Sequence, residues 1–228
     1  MARQIFAAEI SHEDAPLHVR EKLACNEATV KEHLLQLSMQ VEEVCILSTC
    51  NRFAMYAVHD DITPITNFFA RYPGLKGYVQ FYYNTEESVT HLFATASGLL
   101  SEIKGEHQIL EQIRQAHQWS LECGSIGITL DNLLREALRI GKQVRTKTGI
   151  DKFGCSIVEA GIELLYNRLD GLHDKHFLVI GTGKVSRIVL EYLYNEGIQN
   201  VVIAGHNFDR SKELAKQFYV EAISIDRI

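Results

Sequence analysis

Proline is scarce in this chain, with three among 228 residues, and no glycine- or serine-rich linker interrupts it. Domain boundaries must therefore show as changes of pattern. No apolar run approaches the roughly 18 residues that a membrane-spanning helix needs. Met1-Ala2-Arg3-Gln4 leads into a short strand-like run instead of an apolar signal segment. The five cysteines, Cys25, Cys45, Cys50, Cys123 and Cys155, are odd in number and form no C-x-x-C pair. That argues against a disulfide framework or a zinc knuckle, and for reduced thiols in a cytoplasmic compartment. No metal site is expected. Excess positive charge is also missing: 23 Lys and Arg against 29 Asp and Glu give a net charge of −6. This excludes indiscriminate coating of nucleic acid but leaves room for a local basic patch. What remains is ordinary globular composition, 46% hydrophobic and 23% charged, in a length that suits one or two domains.

The pattern changes twice along the chain. Residues 3–10, 42–49, 53–59 and 78–83 read as strands, and 27–40 and 62–71 as helices, which makes the first part α+β. From residue 85 the chain turns helical, opening on the capping-type start Thr85-Glu86-Glu87-Ser88. A break falls at Gly98, and helices follow over 106–122, 130–147 and 155–169. From residue 176 strand, glycine-rich turn, helix, strand, helix and strand succeed one another as a βαβαβ unit. The domains read as 1–150 and 151–228, the second too short for a complete six-stranded dinucleotide fold.

Gly181-Thr182-Gly183-Lys184-Val185-Ser186 joins a strand to a helix, the context a dinucleotide-binding turn requires. Gly181 permits the tight turn, and Gly183 lets backbone approach a pyrophosphate at the helix N-terminus. Ser186 stands where close packing prefers Gly or Ala. After the second strand comes Gly205-His206-Asn207, with Arg210 one turn on and no acid at the strand tip. This favours a 2′-phosphate over a bare ribose, and so NADP over NAD.

Cys50 ends an apolar run in Leu47-Ser48-Thr49-Cys50-Asn51-Arg52. Arg52 beside it suits a thiolate or a carboxylate, so the residues leave Cys50 open as nucleophile or inert thiol. Cys45 and Cys155 read as buried structural thiols. His91, Ser101, Glu106, His107, Gln108 and Gln112 make the next stretch polar. In the helix over 130–147, Leu133, Ala137, Ile140 and Val144 predict the buried side. Arg135, Arg139, Lys142 and Arg145, followed by Lys147 and Lys152, form a second stripe, either a solvated face or a surface contacting RNA phosphates.

Four stretches together resemble the glutamyl-tRNA reductase family, which opens tetrapyrrole (porphyrin) synthesis from glutamate. They are His12-Glu13-Asp14-Ala15-Pro16 with Val19-Arg20-Glu21, then LSTCNR at 47–52, HLFATASGLLSEIKGEHQIL at 91–110, and GKQVRTKTGI at 141–150. The chain departs from the family pattern at Phe53-Ala54 (usually Thr-Glu), Leu100 (Asp), His107 (Pro) and His206-Asn207-Phe208 (Asn-Arg-Thr). The resemblance implies a ferredoxin-like sheet plus helices, followed by the start of a Rossmann-like NADP-binding unit. It implies that Cys50 attacks the ester of glutamyl-tRNA(Glu), leaving a glutamyl thioester that NADPH reduces to glutamate-1-semialdehyde. Thr49, Asn51 and Arg52 would hold the glutamyl group, with Arg52 on a carboxylate. Ser101, Glu106, His107, Gln108 and Gln112 would line the same pocket, Glu106 on the α-ammonium. His91 would serve proton transfer, and the basic helix would face the tRNA. An aminomutase would take the product, and the full-length family is expected to be homodimeric through a C-terminal domain absent from these 228 residues. Two other readings stand: a non-catalytic homologue that binds glutamyl-tRNA or a pathway partner, and a thioester enzyme that does not reduce.

Overall fold

The computed structural model describes residues 3–106, 108–150 and 157–228. His107, Lys152, Cys155 and the side chain of Lys184 lie outside the described residues. The chain divides into two compact units, Met1–Gly154 and Cys155–Ile228.

In the first unit β1 (Gln4–Ser11), β2 (Glu43–Ser48), β3 (Arg52–His59) and β4 (Gln80–Tyr82) form one antiparallel sheet in the order β2-β3-β1-β4. With α2 (Glu27–Leu37) between β1 and β2, and α3 (Thr63–Ala70) between β3 and β4, this is the ferredoxin-like order expected. A four-residue helix α1 (Leu17–Arg20) precedes α2. The strands read as almost unbroken apolar runs because helices cover both faces. Phe6, Ala8 and Ile10 of β1 pack with Val30, Leu34 and Phe68 of α2 and α3. Ile5 and Ala7 face α4 (Thr85–Ala96), α5 (Gln108–Glu122) and α6 (Ile128–Thr148) through Leu92, Ile113 and Leu134. Side chains alternate along a strand, so Glu9, Arg52, Ala54 and Tyr56 belong to this second face. Glu9 stands directly opposite Ala54 in the β1–β3 register.

Helix α6 differs from its sequence reading in which side it buries. The buried positions are Leu130, Leu134, Ala137, Gly141 and Arg145, whereas Leu133 and Leu138 are only partly buried. Glu43 of β2 sets the helix start: its carboxylate accepts from the backbone N–H groups of Thr129 (3.1 Å) and Leu130 (2.7 Å). At the other end Gly141 crosses the last turn of α4. A Cβ there would sit 2.5 Å from the Ala96 carbonyl oxygen. Arg145 then belongs to the packed face, and its place in the exposed basic stripe is corrected. It is 5% exposed, and its Nη1 donates to the carbonyls of Ala96 (2.7 Å) and Gly141 (2.9 Å). Its Nη2 donates to the carbonyl of Glu106 (2.8 Å). Arg145 thereby ties together the two ends of the 97–106 segment, whose carbonyls have no helical partner. Gly141→Ala is expected to cost about 1–3 kcal/mol despite the gain in helix propensity, because the obstructing atom is backbone already held by Arg145. A fall of several degrees in the thermal midpoint checks it.

The second unit carries α7 (Ile157–Leu169), then β5 (Phe177–Ile180), α8 (Lys184–Asn195), β6 (Val201–Gly205), α9 (Phe208–Phe218) and β7 (Glu221–Ser224). The strands form a parallel sheet in the order β5-β6-β7, as a βαβαβ unit requires. Among the described residues no helix is long and apolar enough to cross a membrane.

Candidate active site

Cys50 projects from the tight connection between β2 and β3. Thr49 builds that connection: its N–H donates to the Arg52 carbonyl (2.8 Å), and its Oγ1 accepts from the N–H groups of Asn51 (3.1 Å) and Arg52 (3.0 Å). Arg20 closes it from α1, with Nη1 donating to the Cys50 carbonyl at 2.7 Å. Asn51 Nδ2 donates to Glu102 at 3.0 Å, and its carbonyl accepts from the His12 N–H at 2.9 Å. The thiol is exposed on an ordered turn, beside a cavity of about 210 Å³ that Arg20, Glu21, Thr49 and Arg52 also line. The other described cysteines differ. Burial pushes the Cys45 thiol up to about 11 and raises Cys25 and Cys123 as well, which keeps them protonated.

Behind the turn lies a buried chain of polar groups. Arg52 Nη1 donates to Glu9 Oε1 (2.8 Å) and to Thr95 Oγ1 (3.2 Å), and Nη2 donates to the Leu100 carbonyl. Glu9 Oε2 receives His91 Nε2 at 3.0 Å, and His91 Nδ1 lies 2.8 Å from the Tyr56 hydroxyl. A carboxylate only accepts, so Nε2 carries the proton and Nδ1 accepts from Tyr56. Burial drives the Tyr56 pKa well above its ordinary value, which keeps that hydroxyl a donor. Burial also pushes the Glu9 carboxyl up, but the His91 hydrogen bond and the Arg52 charge outweigh it and hold Glu9 below its usual range. The Tyr82 ring lies 4.4 Å from the His91 ring, centroid to centroid.

Three of the expected site residues, Thr49, Asn51 and Arg52, therefore gather at Cys50. Arg52 does so with its side chain 2% exposed and two of its nitrogens already engaged. His91 lines a different cavity, with Tyr82, Asn84, Glu86, Glu87 and Thr90, and is linked to Arg52 through Glu9. Ser101 is 2% exposed, and its hydroxyl has no partner among the described residues, a buried polar atom left for a ligand or water. Glu106 is half-buried and meets Arg145 through its carbonyl; Gln108 and Gln112 share one side of the start of α5. On α6, Arg135 pairs with Asp131 (3.0 Å), Arg139 pairs with Glu136 (2.8 Å), and Lys142 is exposed.

Sequence reading missed Glu9, Tyr56, Thr95 and Arg20 as parts of the site. A signal for Glu9 was present: one acid inside an otherwise apolar strand, on the parity that the pairing strand gives Arg52. Among the described residues, no group of three His, Cys, Asp or Glu side chains is placed to hold a metal ion.

In the second unit the glycine-rich turn fits a dinucleotide. Gly181 has φ +105°, a conformation that favours glycine. Gly183 caps α8 in extended conformation, and a Cβ built on it meets no atom within 4 Å. The open space is what close approach of a pyrophosphate needs. Ser186 packs against Gly181, its Oγ 3.4 Å from where a Cβ would stand. Val185 is exposed in the first turn of α8. Thr182, Arg187, Arg210 and Gln217 line a polar cavity of about 230 Å³ together with Glu213. Asn207 is occupied in capping α9, accepting from the Arg210 N–H at 3.1 Å.

Residues 9–148 match the family model for the glutamyl-tRNA(Glu) reductase N-terminal domain, and residues 163–228 match that for shikimate/quinate 5-dehydrogenase. Glutamyl-tRNA reductase of Desulforudis audaxviator is 39% identical over 98% of this chain and 52% of its own length. The Pelotomaculum thermopropionicum enzyme is 37% identical over 98% and 53%. The solved glutamyl-tRNA reductase of Methanopyrus kandleri superposes with a TM-score of 0.66 at 28% identity, over 98% of this chain and 55% of that one. The chain thus spans about half the length of the curated relatives it matches. With its first-unit fold, its Cys50 turn and its glycine-rich turn all in family order, the chain belongs to the glutamyl-tRNA reductase family.

Proposed function

We propose that Cys50 is the acyl acceptor in the NADPH-dependent reduction of glutamyl-tRNA(Glu) to glutamate-1-semialdehyde. The observation that carries this reading is an exposed thiol fixed on an ordered turn beside a cavity lined by Arg20, Glu21 and Thr49. The thiolate attacks the ester carbonyl, a carbon–sulfur bond forms, and the tRNA leaves through its terminal hydroxyl. Bound NADPH supplies the hydride that turns the acyl group into the aldehyde and returns the thiolate. Gly181, Thr182, Gly183 and the first turn of α8 (Lys184, Val185, Ser186) would hold its pyrophosphate, and Arg210 the 2′-phosphate. Ser101, Glu106, His107, Gln108 and Gln112 remain candidates for the glutamyl pocket. Tetrapyrrole synthesis in the cytoplasm, with an aminomutase consuming the aldehyde, completes the reading.

Arg135, Arg139 and Lys142 are the remaining candidates for tRNA contact. Arg135→Glu with Arg139→Glu is expected to weaken tRNA binding and to lower its salt slope by about two. Unchanged affinity in a salt titration returns the stripe to a solvated face.

The direct test is intact-mass spectrometry of the chain mixed with glutamyl-tRNA and no NADPH. A glutamyl adduct that disappears when NADPH is added supports the reading. A second reading, a homologue that binds glutamyl-tRNA without turning it over, is favoured by the engagement of Arg52 with Glu9. Bound tRNA without an adduct would select it.

A further inference from the structure

Inside the apolar stretch of β1, Glu9 is 4% exposed, and its two carboxylate oxygens are divided between two side chains of the site. Oε1 accepts from Arg52 at 2.8 Å, and Oε2 accepts from His91 Nε2 at 3.0 Å. Arg52 lines the Cys50 cavity and His91 lines the other one, so a single carboxylate braces both. The brace leaves Arg52 usable. Its bonds to Glu9, Thr95 and the Leu100 carbonyl occupy Nη1 and one proton of Nη2. The Nε–H and the second Nη2 proton have no protein acceptor among the described residues, and those are the donors a substrate carboxylate can take.

Register shows from where else that carboxylate can come. Glu9 stands directly opposite Ala54, and side chains so paired have Cβ atoms about 4.5–5.5 Å apart on one face of the sheet. Ala54 is fully buried on that face of β3, two residues from Arg52 on one side and two from Tyr56 on the other. Tyr56 in turn holds His91 through Nδ1 at 2.8 Å. A carboxylate rooted at 54 would therefore meet the same two partners from the other strand. Position 54 is also where this chain carries Ala in place of the glutamate of the motif it otherwise follows.

We propose that Glu9 is the positioning residue of this site, and that it supplies from β1 the carboxylate for which the family motif uses position 54 on β3. The side chain has crossed the strand pair while its place between Arg52 and His91 is kept. Its work is to hold the Arg52 guanidinium at the Cys50 cavity and to keep His91 protonated on Nε2. The inference rests on the reading above for the reaction that Arg52 and His91 serve, and on the register for the origin of the carboxylate.

Exchanging the two side chains tests it on the whole chain, because Glu9→Ala with Ala54→Glu conserves both volume and charge. Two readouts are taken well below the melting midpoint of each variant. The first is the proton resonance of His91 Nε2–H, which is protected from water exchange while a buried acceptor holds it and is assigned by its loss in His91→Gln. The second is the rate of glutamyl adduct formation at Cys50 from glutamyl-tRNA. Glu9→Ala is expected to lose the resonance and to slow acylation about a hundredfold, and the exchanged chain to recover the resonance and all but about fivefold of the rate. If Glu9→Ala does not fold, folding and the resonance in the exchanged chain decide. An exchanged chain that fails to fold, or that lacks the resonance, overturns the proposal. So does a Glu9→Ala chain that acylates at the wild-type rate, since Glu9 would then support the fold alone. If the wild type forms no adduct, the reductase reading fails by itself, and the resonance still decides where the carboxylate can sit.

Discussion

Cys50→Ser is expected to abolish the glutamyl adduct and lower aldehyde formation by at least about a thousandfold, with tRNA binding retained. A thiol reaches its nucleophilic form near neutral pH, whereas a serine hydroxyl needs an adjacent base to remove its proton. Among the described residues, no side-chain base is hydrogen-bonded to the Cys50 sulfur. The imidazole of His91 has one nitrogen on Glu9 and the other on Tyr56, and it lines a different cavity from Cys50. Stability should change by no more than about 0.5 kcal/mol, because the Cys50 side chain is exposed and its backbone carbonyl, not its sulfur, holds Arg20. Intact mass, single-turnover aldehyde formation and a thermal melt on the same preparation separate loss of chemistry from loss of fold. A variant that still reduces glutamyl-tRNA at the wild-type rate would end the thiol mechanism.

The second large effect is on stability. Glu9→Ala removes the carboxylate that, alone among the described residues, pairs with both the Arg52 guanidinium and His91 Nε2, each in a side chain about 2% exposed. Breaking one partner out of a buried pair leaves the other charge desolvated and uncompensated, which costs about 3–5 kcal/mol. That is a large share of the roughly 5–15 kcal/mol by which folded domains are stable. Glu9→Gln keeps the shape and one acceptor oxygen, so it should cost less, about 1–3 kcal/mol. Glu9→Ala combined with Arg52→Ala should cost less than the sum of the two single changes, because the stranded charge is gone.

The sign of the pH dependence follows from Glu9 being held below its ordinary carboxylate value when folded. Its contribution is complete above the unfolded pKa and disappears as pH falls through the folded one. The gap between wild type and Glu9→Gln in denaturant titrations should therefore hold from neutral pH down to the unfolded carboxyl value, about pH 4.3, and narrow as the pH falls below it. A gap that stays constant or widens with acid would show that Glu9 is not ionised in the folded chain.

The sequence by itself determined most of the elements. β1, β3, α3, α9 and the strands around the glycine-rich turn lie within a residue or two of where periodicity places them, because each signal is local. Alternation settles a strand's faces, and Gly98 and Gly181 sit where φ is positive; the cap of α4 is Asn84, one residue before the Thr85 start that the sequence suggested. The order of the motifs also pointed to Cys50, since its place at the end of an apolar strand is a local fact as well.

Only the tertiary structure decided what those residues meet. A 21-residue helix offers several stripes of similar apolarity, and the one that α6 buries includes Arg145. An arginine at that spacing reads as solvated until the carbonyls of Ala96 and Glu106, 49 and 39 residues away in the chain, come within reach of it. The same holds for Glu9, His91 and Arg52. Their pairing spans 43 residues in one case and 82 in the other, so no local pattern encodes it. Charge pairing is a property of distance and burial, which only the packed sheet supplies. That packing buries Arg52 against Glu9 and holds Arg20 on the Cys50 carbonyl.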